Sequence, residues 1–152
     1  MELIYRGTRD GMTSNVFHNK CDNKGETITL IKNEKGNIFG GYASISWTNP
    51  SSGTYYSAPE SFLFTLSNIY NTEPTKFPSK NDQKEVKHNS SYGPAFGAGH
   101  DLAVNTDFLN SGGWSSGFYT YQDVLGKGKS IFTGDSNSCF KIKEIEVFKI
   151  YK

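Results

Sequence analysis

The sequence predicts a mainly β fold of the α+β type: two antiparallel β-sheets packed as a sandwich, with one or more short peripheral helices. Three observations predict it. Aromatic residues make up 14% of the chain, a composition that favours strands over helices and argues against disorder. Short β-prone runs recur from end to end, separated by Gly, Pro, Asn and Ser turn signals. The chain has 152 residues with no linker or internal repeat. That is the length of one domain, residues 1–152, able to bury roughly 68–70% of its unfolded surface.

Leu3, Ile4 and Tyr5 open the chain as a short apolar segment that stops at the turn-rich stretch 6–11. Thr13 or Ser14 offers an N-cap for a helix over residues 15–21, with Val16, Phe17 and Cys21 on its buried side. Asn23 or Gly25 ends it in the left-handed conformation. Residues 26–46 read as a hairpin around Asn33-Glu34-Lys35-Gly36, and Gly40-Gly41 in its second arm mark a bulge or a close backbone approach. A Ser-, Pro- and Tyr-rich loop fills 48–60, and the run 61–67 reads as buried on both faces. Pro74 and Pro78 bracket another loop, and residues 84–88 form a polar edge strand. Within the Gly-, Ser- and Asn-rich segment 91–116, residues 101–104 are a short strand; 118–121 and 130–133 are two more.

The stretch 139–151 is the clearest strand. Neither of its faces is clean: Glu144 and Glu146 share one with Phe140, Ile142, Phe148 and Ile150, while Ile145 and Val147 lie among lysines. Either both faces are partly covered, or a bulge shifts the phase near residue 144. Phe39, Phe62, Phe64 and Phe140 are expected in the core.

Composition excludes several function classes. Net charge is +1, and of 16 basic residues only Arg6 and Arg9 are arginines. No basic run tracks a phosphate backbone, so no nucleic acid is expected. Mean hydropathy is −0.57, and no run approaches the roughly 20 apolar residues of a membrane span, so no membrane insertion is expected. The first ten residues lack the apolar core of a signal peptide. Cys21 and Cys139 suit free thiols in a cytoplasmic or nuclear protein, with one disulfide between them left open.

The motifs that carry chemistry are weak. The segment 92–101 has neither the Gly-Lys-Ser/Thr ending of a P-loop nor the third glycine of a dinucleotide fingerprint, and reads as a turn needing positive φ. His18, Cys21, His100 and Asp101 offer metal donors without the spacing of a second ligand pair, so no metal and no cofactor are expected. Glu144 and Glu146 lie about 7 Å apart on one strand, a pairing that could do acid–base work but that also fits an ordinary solvated face. An inward carboxylate there needs a partner, so Arg6 or Arg9 is expected to pair with Glu144 or Glu146. Exposed aromatics such as Tyr55, Tyr56, Trp114 and Tyr119 could stack on sugars or close the ends of the sandwich.

Taken in order, five blocks resemble the TLDc domain family: LIYRGTRDGMTSNVFHNKCDNKGETITLIK at 3–32, NIFGGYASISW at 37–47, SFLFTL at 61–66, YGPAFGAGHDL at 92–102 and FKIKEIEVFKI at 140–150. Each block is modest alone; their order and spacing span nearly the whole chain. The Arg-Asp-Gly, Phe-Gly-Gly-Tyr and Ile-Glu-Val-Phe variants are most similar to protist members. The resemblance implies a β-sandwich with a few peripheral helices, a link to oxidative-stress resistance, and binding to peripheral subunits of the vacuolar-type proton ATPase. It carries over no catalytic mechanism. Family domains often have elements upstream of the Leu-Ile-Tyr segment, and some animal members use a tail helix against the ATPase rotor. The chain shows neither, which points to one domain of a longer protein.

The leading expectation is therefore a non-catalytic, regulatory protein-binding module. Its candidate partner-binding residues are Tyr55, Tyr56 and Trp114 in loops, with His100 and Asp101 in the Gly-rich turn. Two alternatives remain: an enzyme using Glu144 and Glu146 on an oxidant-related or glycan substrate, and a carbohydrate-binding sandwich.

Overall fold

Alternating apolar and polar residues pair the β-prone runs into two antiparallel sheets whose inward faces share one core. The computed structural model describes residues 1–151. In chain order the elements are β1 (Glu2–Arg6), α1 (Gly7–Asp10), α2 (Ser14–Cys21), β2 (Thr27–Asn33), β3 (Ile38–Ala43), β4 (Thr54–Tyr56), β5 (Phe62–Ser67), β6 (Thr75–Pro78), β7 (Val86–His88), β8 (Ala95–Phe96), β9 (Leu102–Val104), β10 (Gly113–Trp114), α3 (Ser130–Thr133), β11 (Cys139–Phe140) and β12 (Ile142–Lys149). The first sheet runs β1-β12-β2-β3-β5-β6 and the second β11-β10-β9-β8-β7-β4.

Ile31, Phe39 and Leu63 from the first sheet meet Val86, Phe96, Leu102 and Val104 from the second in a continuous core. The sheets approach closely at Gly41, where a Cβ would sit 2.6 Å from the Phe96 ring. Its neighbour Gly40 is pressed against the Thr29 carbonyl. The glycine pair is thus a close approach, one of the two readings its position in a strand allowed.

Helix α2 starts one residue earlier than expected, capped by the Thr13 hydroxyl accepting from Val16 N at 3.3 Å. Phe17 and Cys21 are buried, and Asn23 takes φ 60° just past its end. The hairpin turn is held by Asn33 Oδ1, which accepts from Lys35 N and Asn37 N at 3.0 Å each.

Several expectations are corrected. The turn-rich stretch 6–11 contains α1, whose short turn is closed by Gly11 N donating to Gly7 O at 2.8 Å. Strands β4 and β6 lie where loops were read; Pro78 is tolerated because β6 is an edge, where a missing N–H breaks no ladder. Strand β7 is not an edge, since β4 pairs outside it. Residues 130–133 form α3 rather than a strand: Gly134, at φ 86°, closes it with its N–H on Ser130 O. Residues 118–121 contribute only an isolated bridge, Ser79 to Tyr121.

The terminal run is two strands in two sheets. Strand β11 joins β10 in the second sheet, and after Lys141 β12 inserts between β1 and β2 in the first. A register shift between Ile142 and Glu144 then resolves the mixed pattern. Ile142, Ile145 and Val147 are buried, while Glu144, Glu146 and Phe148 are half-buried on the outer face. Both readings hold: a bulge shifts the phase, and the outer face is itself partly covered.

The run 61–67 is not buried on both faces. Leu63 and Thr65 point inward, but Phe62 is half-buried and Leu66 is 44% exposed. Phe39, Phe64 and Phe140 are buried as expected. Phe62 and Phe64 belong to the outer face, across the strands from Tyr42 and Gly40. One outer row there is apolar across all six strands: Leu3, Phe148, Ile28, Tyr42, Phe62 and Pro78 are successive cross-strand partners.

Candidate functional site

The residues singled out from the sequence fall into two places. The first is a corner on the outer face of the first sheet, where β1, α1 and β12 meet. Arg6 and Glu146 are register partners on β1 and β12, and partners in register share a face. Arg6 Nε lies 2.8 Å and its Nη2 2.6 Å from Glu146 Oε2. Glu144 accepts from Thr8 N at 3.2 Å, Ile145 N at 3.0 Å and the Thr8 hydroxyl. It therefore caps the start of α1 with a carboxylate, satisfying N–H groups a helix cannot use itself.

Arg9 turns instead to its neighbour Asp10, at 2.9 and 3.0 Å. The Arg9 hydrogen bond first, and Arg6 N second, hold the Asp10 carboxyl down at about 2. A cleft of about 390 Å³ at this corner is lined by Arg6, Thr8, Lys32, Glu144 and Glu146. Glu146 Oε2 and both Glu144 carboxylate oxygens already accept from donors there.

The second place is on the outer face of the second sheet. Tyr55 on β4 and Lys87 on β7 are register partners, as are Trp114 on β10 and Ala103 on β9, and Ala103 with Ala95 on β8. Two alanines in mid-sheet leave a shallow floor, and rings close over it from the flanks. Trp114, Tyr92 and His100 form a mutual cluster: centroids 5.6 Å apart for Tyr92 and Trp114, 5.9 Å for Tyr92 and His100, 5.0 Å for His100 and Trp114. Lys87 Nζ sits 5.2 Å from the Tyr55 ring centre and 5.5 Å from that of Tyr92, within cation–π range. The Tyr55 hydroxyl donates to Ala98 O at 3.1 Å, tying β4 to the Gly-rich turn.

Two features set this cluster apart. His100 holds φ 56°, left-handed backbone in a residue with a full side chain. Its buried Nε2 has no hydrogen-bond partner. Burial first, and the Lys87 charge second, push the His100 pKa down, so the ring is neutral beside a cation. Among the described residues no carboxylate lies within ion-pair distance of Lys87. Thr29, His88 and Asp101 also leave a buried polar atom unpaired, but only His100 combines this with a positive φ, and the combination makes its cluster the candidate site.

Asp101 and Tyr56 do not belong to the cluster. Asp101 is fully buried beneath it, and its Oδ2 accepts from the backbone N–H of Tyr119, Thr120 and Tyr121 at 2.9 Å each. Burial pushes this carboxyl up against the pull of those three donors. It is the anchor of the 119–121 segment rather than a contact residue. Tyr56 points to the other face of β4 and stacks on His88 at 4.4 Å. Tyr55, Tyr56 and Trp114 sit on strands and not on loops.

Sequence reading missed Lys87 and Tyr92, which hold the cluster together. Tyr92 precedes the glycines of the segment already singled out, and Lys87 alternates with the buried Val86 and His88. Those two signals were available. Also missed was the apolar groove of about 480 Å³ on the first sheet, lined by Ile28, Leu30, Phe62, Phe64 and Phe148 among others.

Cys21 is buried and Cys139 exposed, both as free thiols. Among the described residues no group of three or more His, Cys, Asp or Glu is placed to hold a metal ion, and no helix is long and apolar enough to cross a membrane.

No curated protein matches the chain. The family model for the TLDc domain matches residues 1–151, nearly the full length over which the five sequence blocks run, and the chain therefore belongs to the TLDc domain family.

Proposed function

We propose that this TLDc domain is a regulatory protein-binding module and that the Tyr55, Lys87, Tyr92, His100 and Trp114 face is its docking surface. The observation that carries the reading is His100, strained and with an orphaned ring nitrogen at the centre of an aromatic cluster. Membership of a family whose domains act as non-catalytic binding modules supports it. The paired carboxylates do not favour an enzyme, because Glu146 is engaged by Arg6 and Glu144 by Thr8 and Ile145. The rings meet edge to face, at 73° for Tyr92 and Trp114 and 83° for Tyr92 and His100. That arrangement covers one ring's face with its neighbour's edge and suits a shaped protein surface better than a flat sugar.

The partner this face fits brings apolar surface to the rings and an acidic residue to Lys87. The family resemblance names the candidate: the peripheral, cytosolic subunits of the vacuolar-type proton ATPase, with a role in oxidative-stress resistance, in the cytoplasm or nucleus. With net charge +1, long-range steering is weak, and binding rests on a few anchors. The test is co-purification of the full-length parent with the ATPase from native lysate. Capture that is lost on replacing Tyr55, His100 and Trp114 together, with the circular dichroism spectrum unchanged, supports the reading. A parent that neither co-purifies with the ATPase nor alters its activity or assembly removes that partner.

A further inference from the structure

One buried histidine reaches the turn that carries Tyr92 into the docking face, beside the backbone bonds Ser90 N to Pro50 O and Gly93 N to Val104 O that also hold it. His18, on α2, is 5% exposed. Its Nδ1 lies 2.7 Å from Asp22 Oδ1, and its Nε2 lies 2.8 Å from Tyr92 O and 3.0 Å from Asn89 O. Carboxylate and carbonyl oxygens only accept. A neutral imidazole would aim a lone pair either at the carboxylate or at the two carbonyls; the imidazolium alone donates on both sides. Moving the proton to Asp22 is disfavoured, because imidazole is the stronger base by about 2.6 units in ordinary peptides.

The two carbonyls belong to the first and last residues of one turn, closed by Tyr92 N donating to Asn89 O at 3.1 Å. That turn delivers the Tyr92 ring to Trp114, His100 and Lys87.

We propose that His18 is a protonation latch: as an imidazolium it clamps the 89–92 turn and sets Tyr92 in the docking face, and on losing its proton it releases the turn and loosens that face. This rests on the docking reading given above and adds its regulation. The surroundings single out His18 as the titrating group. Asp22 faces it from the end of its own helix. Next to Asp22, burial raises the Cys21 thiol far above the range in question. Across from α2, on β7, His88 is driven down to about 4 by burial and stays neutral, its Nδ1 2.7 Å from the Thr48 hydroxyl. The cleft beside His18 and Asp22 is otherwise lined by the neutral Asn15, Asn19, Asn23 and Asn49; near Cys21, Asp10 adds negative charge and Lys20 and Lys24 positive charge.

Burial opposes the His18 charge, but the Asp22 hydrogen bond and charge and the two carbonyls outweigh it, so its pKa is raised. The sign follows. The clamp is fully present below the ordinary histidine value of about 6.5 and is lost as pH rises through the higher folded value.

The experiment is an NMR titration of the isolated wild-type chain from about pH 5.5 to 9, following the His18 ring nitrogens together with the Trp114 indole and Tyr92 ring signals. Both His18 nitrogens should be protonated at the acid end, and the Trp114 and Tyr92 signals should move with the His18 midpoint. In Asp22→Asn both midpoints should fall together by about one unit or more, because the counter-charge is gone. His18→Gln should abolish the Trp114 shift at the His18 midpoint, leaving only movement at the acid end from His100, which packs on Trp114 and whose pKa is lowered; should it fail to fold, wild type and Asp22→Asn still decide. A His18 with one protonated nitrogen at every pH, or Trp114 and Tyr92 signals indifferent to its titration, overturns the latch. These readouts need no partner, so they stand or fall apart from the docking reading. Where a partner is in hand, affinity that falls as pH rises through the His18 midpoint supports the regulation, and affinity constant across it overturns that step.

Discussion

The Arg6, Glu144 and Glu146 corner and the Tyr92, His100 and Trp114 cluster both gather residues that carry chemistry, on the outer faces of opposite sheets. They differ in how their polar groups end up. At the corner, Glu146 meets Arg6 in register, and Glu144 serves Thr8 and Ile145. Every local choice there agrees with the fold, which is what a structural feature looks like. At the cluster a non-glycine residue is held at φ 56°, a buried ring nitrogen is orphaned and a lysine lacks a counter-charge. Local choice and fold disagree, and the surrounding structure enforces the disagreement. The difference teaches that titratable residue types alone do not locate a site, whereas unmet demands do.

The sharpest way to break the comparison is at the base of the cluster. Asp101→Ala leaves the N–H groups of Tyr119, Thr120 and Tyr121 without their shared acceptor. The expected cost is about 3–5 kcal/mol, because a buried charge-assisted set is lost at once. Asp101→Asn keeps an acceptor oxygen and carries no charge in a place where burial penalises it, so it should cost clearly less. Urea midpoints for the two variants measure this. Equal losses would show that the negative charge, and not the acceptor oxygen, holds the segment.

Next in size is Trp114→Ala, which separates binding from stability. A half-buried aromatic anchor at a docking face should cost about 2 kcal/mol of partner affinity, roughly thirtyfold. Calorimetry of the partner complex, beside a thermal melt of the free domain, reads both. A large drop in melting temperature with unchanged affinity would make the cluster a second structural corner.

Glu144→Ala is the mirror experiment. Removing the cap on α1 should cost about 1–2 kcal/mol of stability and leave partner affinity where it was. Glu146→Gln should act in the same direction but more weakly, since the Arg6 side chain is 43% exposed and water screens the pair. Neither variant should lose a turnover. A hydrolase or peroxidase activity that depends on Glu146 in metal-free protein would reverse the assignment of this corner.

The sequence made the corner more legible than the cluster, for a physical reason. The last strand carries its charges against the two-residue period, and a carboxylate out of phase with its face demands a bulge and a partner; both are present, at Ile142/Glu144 and at Arg6. The core of the sandwich was legible in the same way through Phe39 and Phe140. The break between β11 and β12 was not, because Lys141 sends the chain to the other sheet without a Gly or Pro to announce it. Strands β8 and β10, two residues each, are set by long-range pairing that no local pattern encodes. Phe62 and Phe64 were misplaced because an apolar outer row makes a one-sided strand look two-sided. At the cluster, Tyr55, His100 and Trp114 were found by type, but Lys87 and Tyr92 come from segments 32 and 37 residues beyond Tyr55, and only the sheet brings them together.

The smallest expected effect is the most discriminating, because its two readouts move in opposite directions. Asparagine tolerates the left-handed backbone better than histidine, and it would not bury a ring nitrogen without a partner in the geometry His100 now holds. His100→Asn should therefore stabilise the free domain by about 0.5 kcal/mol, the size expected when a mildly strained residue is replaced by one suited to its φ. It also deletes the ring that lies 5.0 Å from Trp114 and 5.9 Å from Tyr92, so partner affinity should weaken. Gain in stability with loss of function is the trade-off expected where a site has been kept strained for use. Denaturant midpoints and calorimetry on the same preparation give both numbers. A variant that is less stable as well as weaker in binding would show that the His100 ring is held for packing, and the cluster would then lose the observation that sets it apart from the corner.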